Sequence, residues 1–341
     1  MKPEYPSKVL ITDGREIGGV RSFAEGLRAG FIELGIAVEI IPPSRILRRW
    51  RELRDPRILK ILSTSAAFAA PFARRAICVA HATPRTDIQG MHRTLLLIAS
   101  FKLANHCSGV QLVSVSHYIA FTHAAIFNVR TDAVIHNSLK PIYLAPQSGS
   151  PSDRCYVTYL GRLTPTKNLH RLLPSLRDLL DESPGLRVCI IGEGELRTQL
   201  EAQINGDARF EFKGTPDDAA VRDLLRRTRV FVSGNETEGL GITYLEALSQ
   251  GCVVVMKASG GSIEIAPDKV GRSVQILPFS WERSEVLVTL RKALKAQAEP
   301  IDPATFSAKS AAESYLHADA KFSRDGRVHP IRASQIAPQL S

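Results

Sequence analysis

Short apolar runs alternate with segments of helical period along this chain, and the whole alternation happens twice. Lys8–Thr12 (KVLIT) reads as a strand, and apolar positions at Phe23, Leu27, Phe31 and Leu34 then mark a helix that stops at Gly35. Ile36–Ile41, Ala76–Ala80 and Val110–Val115 continue the strands, with a helix over Met91–Asn105, and Asp132–His136 closes the series. After a Pro/Gly/Ser-rich stretch, Lys140–Asp153, the pattern restarts. Its strands are Tyr156–Leu160, Arg187–Ile191, Phe210–Lys213, Val230–Ser233 and Val253–Met256, and helices begin near Asn168, Glu193 and Ile242. Strand–helix–strand repetition demands right-handed parallel crossovers. The expected architecture is α/β: two Rossmann-like doubly wound domains facing each other across a cleft, with ligands at the carboxyl ends of the strands. The boundaries read as 1–145, 146–300, and a C-terminal helix and tail over 301–341, the helix near Ala304–His317.

Charge divides the chain unevenly. Of the net +10, residues Met1–Tyr143 carry +9 (19 basic, 10 acidic) and the remainder +1 (25 basic, 24 acidic). Two domains with different partners are implied. The five cysteines (Cys78, Cys107, Cys155, Cys189, Cys252) form no C-x-x-C pair, which excludes a zinc ribbon and reads as buried thiols of a reducing compartment. The first residues lack a signal-peptide core, and the apolar stretch Ile58–Ala73 is interrupted by Lys60 and Pro71. A cytoplasmic protein, peripheral at the inner face of a membrane at most, is expected. No nucleic-acid module is present, aromatics are only 6%, and ITDGREIGGV lacks the spacing G-x-G-x-x-G of a dinucleotide fingerprint.

The chemistry concentrates in Phe231–Gly251 (FVSGNETEGLGITYLEALSQG), where a strand runs into Glu238-Gly239-Leu240-Gly241 and a helix starting at Ile242. Glycines admit a ligand close to the backbone N–H groups, and a helix N-terminus favours phosphate or developing negative charge. Glu238 in the loop and Glu246 about one turn into the helix can accept hydrogen bonds from sugar hydroxyls. Arg162 and Lys167 follow another strand, in Tyr159-Leu-Gly-Arg-Leu-Thr-Pro-Thr-Lys-Asn168, and can neutralise a diphosphate without an Asp-x-Asp metal cluster. Singly, each piece is explained equally well by solvated loop charges or a glycine turn.

As a set, Gly161-Arg-Leu…Lys167, Ile191-Gly-Glu-Gly194, Phe212-Lys-Gly214 and Glu238-Gly-Leu-Gly…Glu246-Ala-Leu resemble a retaining GT-B glycosyltransferase of family 4 over most of Tyr156–Glu264. In the first half the likeness is thinner: Gly18-Gly-Val20 heads the first helix, His81 follows a strand, and Val134-Ile-His-Asn137 precedes the linker. The resemblance implies transfer of a sugar from a nucleotide-sugar donor to a glycan or lipid-linked acceptor, with no metal and no further cofactor, in surface polysaccharide or glycolipid synthesis. It puts the diphosphate on Arg162 and Lys167, the ribose on Glu246, and the donor sugar on Glu238 with the backbone of Gly239, Leu240, Gly241 and Ile242. It puts the base near Pro216 and Asp218, Gly18 and Gly19 against the phosphates, and His81 beside the transferred sugar. The chain departs from the family at Val232-Ser233-Gly234-Asn235, where Pro-Ser is usual before the glutamate motif, at Leu240 in place of an aromatic, and at Asn168 in place of a glycine.

Two other classes compete: a GT-B relative of different chemistry, such as a phosphorylase or epimerase, and a basic protein that binds a membrane surface or nucleic acid. The combination of Arg162, Lys167, Glu238 and Glu246 favours the transferase. The basic half still invites a membrane partner. Arg45–Lys60 carries seven basic and two acidic residues, with Ile46, Leu47, Trp50 and Leu53 at helical spacing. That pattern fits two readings: an interfacial helix on an anionic membrane, ended by Asp55-Pro56 and extended by the apolar run Ile58–Phe72, or an ordinary amphipathic helix that packs its stripe on the sheet with its arginines in water.

Overall fold

The computed structural model describes residues 5–13, 19–84, 90–145, 154–299, 301–302 and 304–325. The chain forms two compact units, one made of Met1–Pro141 together with Ala304–Ser341, the other of Ile142–Pro303. The C-terminal helix, expected as a segment of its own from residue 301, therefore belongs to the first unit.

In that unit, β1 (Lys8–Thr12), β2 (Ala37–Ile41), β3 (Ile58–Ser63), β4 (Ala76–Ala80), β5 (Val110–Ser114) and β6 (Ala133–Val134) form a parallel sheet in the order β2-β1-β3-β4-β5-β6. β3, β4 and β5 are buried along their whole length, as an apolar strand covered on both faces requires. The helix Gly19–Glu33 turns Phe23, Ala24, Leu27 and Phe31 inward. The helix Ala308–Asp325 packs against it and is fastened to the sheet by side chains. Arg75 Nε donates 3.0 Å bonds to both carboxylate oxygens of Asp319, and Gln111 Nε2 donates to Ala318 O at 2.9 Å.

The interfacial helix predicted over Arg45–Lys60 does not form. Pro43–Arg49 is a 3₁₀ turn, Trp50–Arg54 a short α-helix, and Ile58 opens the core strand β3. The apolar stripe divides: Ile46 and Leu53 are wholly buried, whereas Leu47 and Trp50 face out. The cations divide too. Arg49 is engaged by Glu39, at 2.7 Å from Nη1 to Oε1, and by Glu52. Lys60 is 0% exposed in β3, its Nζ donating to Asp55 O at 2.9 Å and Ile58 O at 2.8 Å. A strand pairing on both sides outweighs helical patterning here, because Ile58–Ser63 lies between β1 and β4.

The second unit holds β7 (Tyr156–Leu160), β8 (Arg187–Ile191), β9 (Phe210–Gly214), β10 (Thr228–Ser233), β11 (Val253–Met256) and β12 (Val274–Ile276), all parallel, in the order β12-β11-β10-β7-β8-β9. That is the Rossmann order, in which direction along the sheet reverses between the first and fourth strands of the unit, β7 and β10. Its core joins Val157, Val188, Ile190, Val230, Val232 and Val255 of the strands to the strongly amphipathic helix Leu169–Glu182 and to Val286 and Leu290 of the helix Arg283–Lys295. The helices Asp218–Arg226 and Arg283–Lys295 are additions to the elements expected from the sequence; both are short and charged on their outer faces.

Candidate donor site of the second unit

The reversal point between β7 and β10 decides where the predicted residues go. The loop after β7 carries Arg162 and Lys167, and the loop after β10 carries Asn235 and Glu238, so neighbouring strands deliver both at their carboxyl ends. Lys167 Nζ lies 3.1 Å from Glu238 Oε2, each side chain about a quarter exposed. The Asn235 amide donates to that same oxygen. Asn235 itself is buried, and its carbonyl receives Ser259 Oγ–H at 2.7 Å. The carboxylate is therefore held by one cation and one amide, with its other oxygen not engaged in that pair.

Each loop is fixed from behind. Asn168 Nδ2 donates to Gly234 O at 3.0 Å, tying the β7 loop to the β10 loop. Tyr159 O–H, buried, donates to the backbone carbonyl of Arg162 at 2.8 Å, which leaves the Arg162 side chain exposed and directs its backbone. The Gly192–Gly194 turn adds Leu163 N–H to Glu193 O at 3.0 Å. On the far side, Gly261 N–H donates to Glu238 O at 3.0 Å, and Gly260 (φ +61°) lies so close to that carbonyl that a Cβ would overlap it. Only glycine allows this approach.

Gly241 caps the helix Ile242–Ser249 with φ +95°, and Leu240 and Ile242 turn their side chains into the core. What Gly239–Ile242 present to a ligand is thus backbone N–H at a helix N-terminus. Glu246 is 5% exposed in the second turn. Its charge, with that of Asp218, acts on the buried Tyr143, whose hydroxyl is pushed far above its ordinary pKa first by burial and then by these two carboxylates. The structure thereby brings Glu246 and Asp218 to one neighbourhood. Pro216 is half-buried, and Asp217 beside it caps the helix Asp218–Arg226 by accepting from Ala220 N–H at 2.8 Å.

Trp281, which the motif reading passes over, packs against the β10 loop. Trp281 Nε1 donates to Glu236 Oε1 at 2.9 Å, and its ring is met by the guanidinium of Arg171 at 5.0 Å and the ammonium of Lys257 at 4.2 Å. A Cβ on Gly234 would stand 2.7 Å from that ring and 2.9 Å from Asn168 Cβ. Gly234-Asn235, the departure from Pro-Ser, is thus accounted for: the Trp281 ring fills the space of a side chain at 234, and the longer Asn235 reaches Glu238. The departure itself was the sequence signal; Trp281, 46 positions downstream of Asn235, left none.

The remaining predicted residues belong to the first unit. His81 directly follows β4, its ring edge-on to Phe23 at 4.6 Å, and its backbone N–H donates to Thr64 Oγ1 at 3.3 Å. Gly19 opens the first helix, exposed, with no atom near enough to exclude a side chain. Gly18 lies outside the described residues.

Comparison with known proteins agrees with this architecture. Residues 144–284 match the family model described as glycosyl transferases group 1. HepE of Anabaena, solved with UDP and glucose, superposes with a TM-score of 0.70 at 16% identity, covering 93% of this chain and all of that one. WaaG, a glycosyltransferase involved in lipopolysaccharide biosynthesis, gives 0.64 at 13% identity, over 93% and 95%. The chain has the GT-B glycosyltransferase fold, and the match to the family model lies within its second unit. Among curated relatives, the sulfoquinovosyl transferase of Arabidopsis thaliana is 31% identical over 121 residues, 36% of this chain and 22% of its own length. One subunit of the human phosphatidylinositol N-acetylglucosaminyltransferase is 26% identical over 187 residues, 54% of this chain and 38% of its own. A GDP-mannose-dependent monoacylated alpha-(1-6)-phosphatidylinositol monomannoside mannosyltransferase of Corynebacterium glutamicum is 28% identical over 123 residues, 34% of this chain and 32% of its own. The matches thus span well under half of these relatives.

Proposed function

We propose that this chain is a retaining glycosyltransferase that moves a sugar from a nucleotide-sugar donor to a lipid-linked acceptor, without a metal ion, as a peripheral protein of the cytoplasmic membrane face. The observation that carries the reading is the convergence of Arg162, Lys167, Asn235 and Glu238 at the reversal point of a Rossmann-ordered sheet. Arg162 and Lys167 take the diphosphate, supplying two fixed positive charges where a divalent cation would otherwise act. The N–H groups at Gly239–Ile242 receive the phosphate or the sugar hydroxyls, Glu238 holds the donor sugar, and the buried Glu246 accepts from the ribose.

In the reaction, the bond from the anomeric carbon to the diphosphate oxygen breaks. An acceptor oxygen bonds the same carbon on the same face, and its proton passes to the departing phosphate. Charge grows on the leaving diphosphate, so Arg162 and Lys167 stabilise the transition state more than the bound donor. The lipid-linked acceptor draws support from the relatives, whose names refer to phosphatidylinositol and its mannosides.

A thermal-shift panel of UDP-, GDP-, ADP- and CMP-sugars tests the reading directly. Binding to the native state raises the melting temperature with ligand concentration. One nucleotide series should do so. If none does up to millimolar concentration, the donor site is misassigned.

A further inference from the structure

Exposed apolar residues are distributed as unevenly as charge. Among the described residues, fifteen large hydrophobics are exposed, and twelve of them lie in the first unit. They concentrate on one helix and its neighbours. Met91–His106 buries only Thr94, Phe101 and Ala104 completely, and presents Leu95 (56% exposed), Leu96 (68%) and Leu103 (54%) to water. The 3₁₀ segment Thr64–Phe72 packs against this helix and exposes Phe68 and Phe72. Phe72 in turn meets the exposed Trp50, ring centroids 5.7 Å apart, and Arg54 stacks on that indole at 5.6 Å. An apolar band of this kind on a protein surface marks a contact with something apolar.

The charges around the band select the partner. The helix Met91–His106 carries Arg93 and Lys102 and no acidic residue, and Thr64–Phe72 carries no charge. Beside Trp50, Arg48, Arg51 and Arg54 are exposed, while Glu52 is already taken by Arg49 and Lys8. We infer that this face, built on Met91–His106 and Thr64–Phe72 and rimmed by these cations, docks on an anionic lipid bilayer, with the leucines and aromatics entering the headgroup boundary and the cations meeting lipid phosphates. No helix among the described residues is long and apolar enough to cross the bilayer, so attachment is to its surface. A second copy of the chain fits the face less well, because a two-fold contact would set Arg93 and Lys102 against themselves. The inference deepens the lipid-linked acceptor reading and rests on it for its purpose; the surface is observed independently.

Sedimentation of the full chain with vesicles tests it. Phosphatidylcholine vesicles containing phosphatidylglycerol should carry the protein down at low salt, pure phosphatidylcholine vesicles should not, and added salt should release it. Changing the exposed Leu95, Leu96 and Leu103 together to serine should weaken partitioning about tenfold or more, while circular dichroism and the thermal shift by the sugar nucleotide stay as in the wild type. Arg93→Glu with Lys102→Glu should abolish the preference for anionic lipid. Wild type that remains in the supernatant, or a serine variant that binds as well as wild type, overturns the inference. So does a concentration-dependent dimer that the serine changes dissolve. Vesicle binding without any nucleotide response would instead sink the donor-site reading and leave the docking face standing.

Discussion

The ammonium of Lys167 and the carboxylate of Glu238 meet at 3.1 Å although 71 positions separate them in the chain. Strand order alone makes this possible, because β7 and β10 are neighbours and their loops leave the same sheet edge. Under the proposed function, a diphosphate arriving at Lys167 would share its cation with Glu238.

Lys167→Ala and Arg162→Ala should each lower kcat/KM by about 10- to 150-fold, the equivalent of roughly 1.5–3 kcal/mol for a charge-assisted phosphate contact. Stability should hardly change, since a partly exposed pair such as Lys167–Glu238 contributes at most about 1 kcal/mol. Steady-state kinetics beside a melting curve separates the two. Near-wild-type kinetics in either variant would remove the diphosphate assignment.

The two glutamates should fail differently. Glu246 is buried near Asp218 and is proposed to hold the ribose, a contact alike in ground and transition states, so Glu246→Ala should chiefly raise the donor KM. Glu238 is held by Asn235 and Lys167 and is proposed to meet the donor sugar, where charge develops, so Glu238→Ala should lower kcat as well. Equal losses in kcat alone for both variants would contradict this division.

Gly234 and Trp281 provide a sharper check. Gly234→Ala places a methyl group against the indole and against Asn168, and the strain falls on the loop that carries Lys167. Overpacking of this kind costs about 1–3 kcal/mol. We expect a lower melting temperature and a raised donor KM together. Asn235→Ala should leave the fold intact and reduce kcat, with Asn235→Ser, the residue the family uses, recovering less than full activity because it is too short to reach Glu238. A silent Asn235→Ala means that Glu238 needs no amide to orient it.

Much of this was readable from the residues. Apolar runs covered on both faces announced β1, β4, β7, β8 and β11 with their observed limits, because a parallel core strand has no polar face to blur it. The same rule explains the failure at Ile58–Ser63: a lysine inside the run made a core strand look like the flank of a surface helix. Lys60 satisfies its ammonium on two backbone carbonyls, a solution invisible in one dimension. In the candidate site, charged residues near a strand end could be picked out by motif, and Arg162, Lys167, Glu238 and Glu246 all sit in the second unit. Residues that act by shape could not, since the fit of Trp281 against Gly234 exists only once the chain is folded.

Turnover should persist in EDTA. Arg162 and Lys167 are permanent cations in the loop after β7, and the motif segments contain no Asp-x-Asp cluster to carry a divalent ion. Loss of activity on chelation, with recovery on adding magnesium or manganese, would show that the two side chains do not suffice for the leaving diphosphate.

Lys60 supplies a prediction that involves no substrate. Burial in β3 pulls its pKa down from 10.5 to about 8, against the opposing pull of Asp55 and Asp319 and with the help of Arg75. The folded chain therefore releases this proton near pH 8, while the unfolded chain keeps it to about pH 10.5. Between those limits the unfolded state binds more protons, so stability rises with pH across the window. Below about pH 8 both states are protonated and the cost of the buried charge is carried in full. Lys60→Met removes the titration and keeps the chain length. Denaturant midpoints at pH 7.5 and pH 10 should show the wild type gaining on the variant by up to a few kcal/mol, other groups cancelling in the difference. An unchanged difference between the two pH values would mean that Lys60 keeps its proton in the fold, with the carbonyls of Asp55 and Ile58 compensating for its burial.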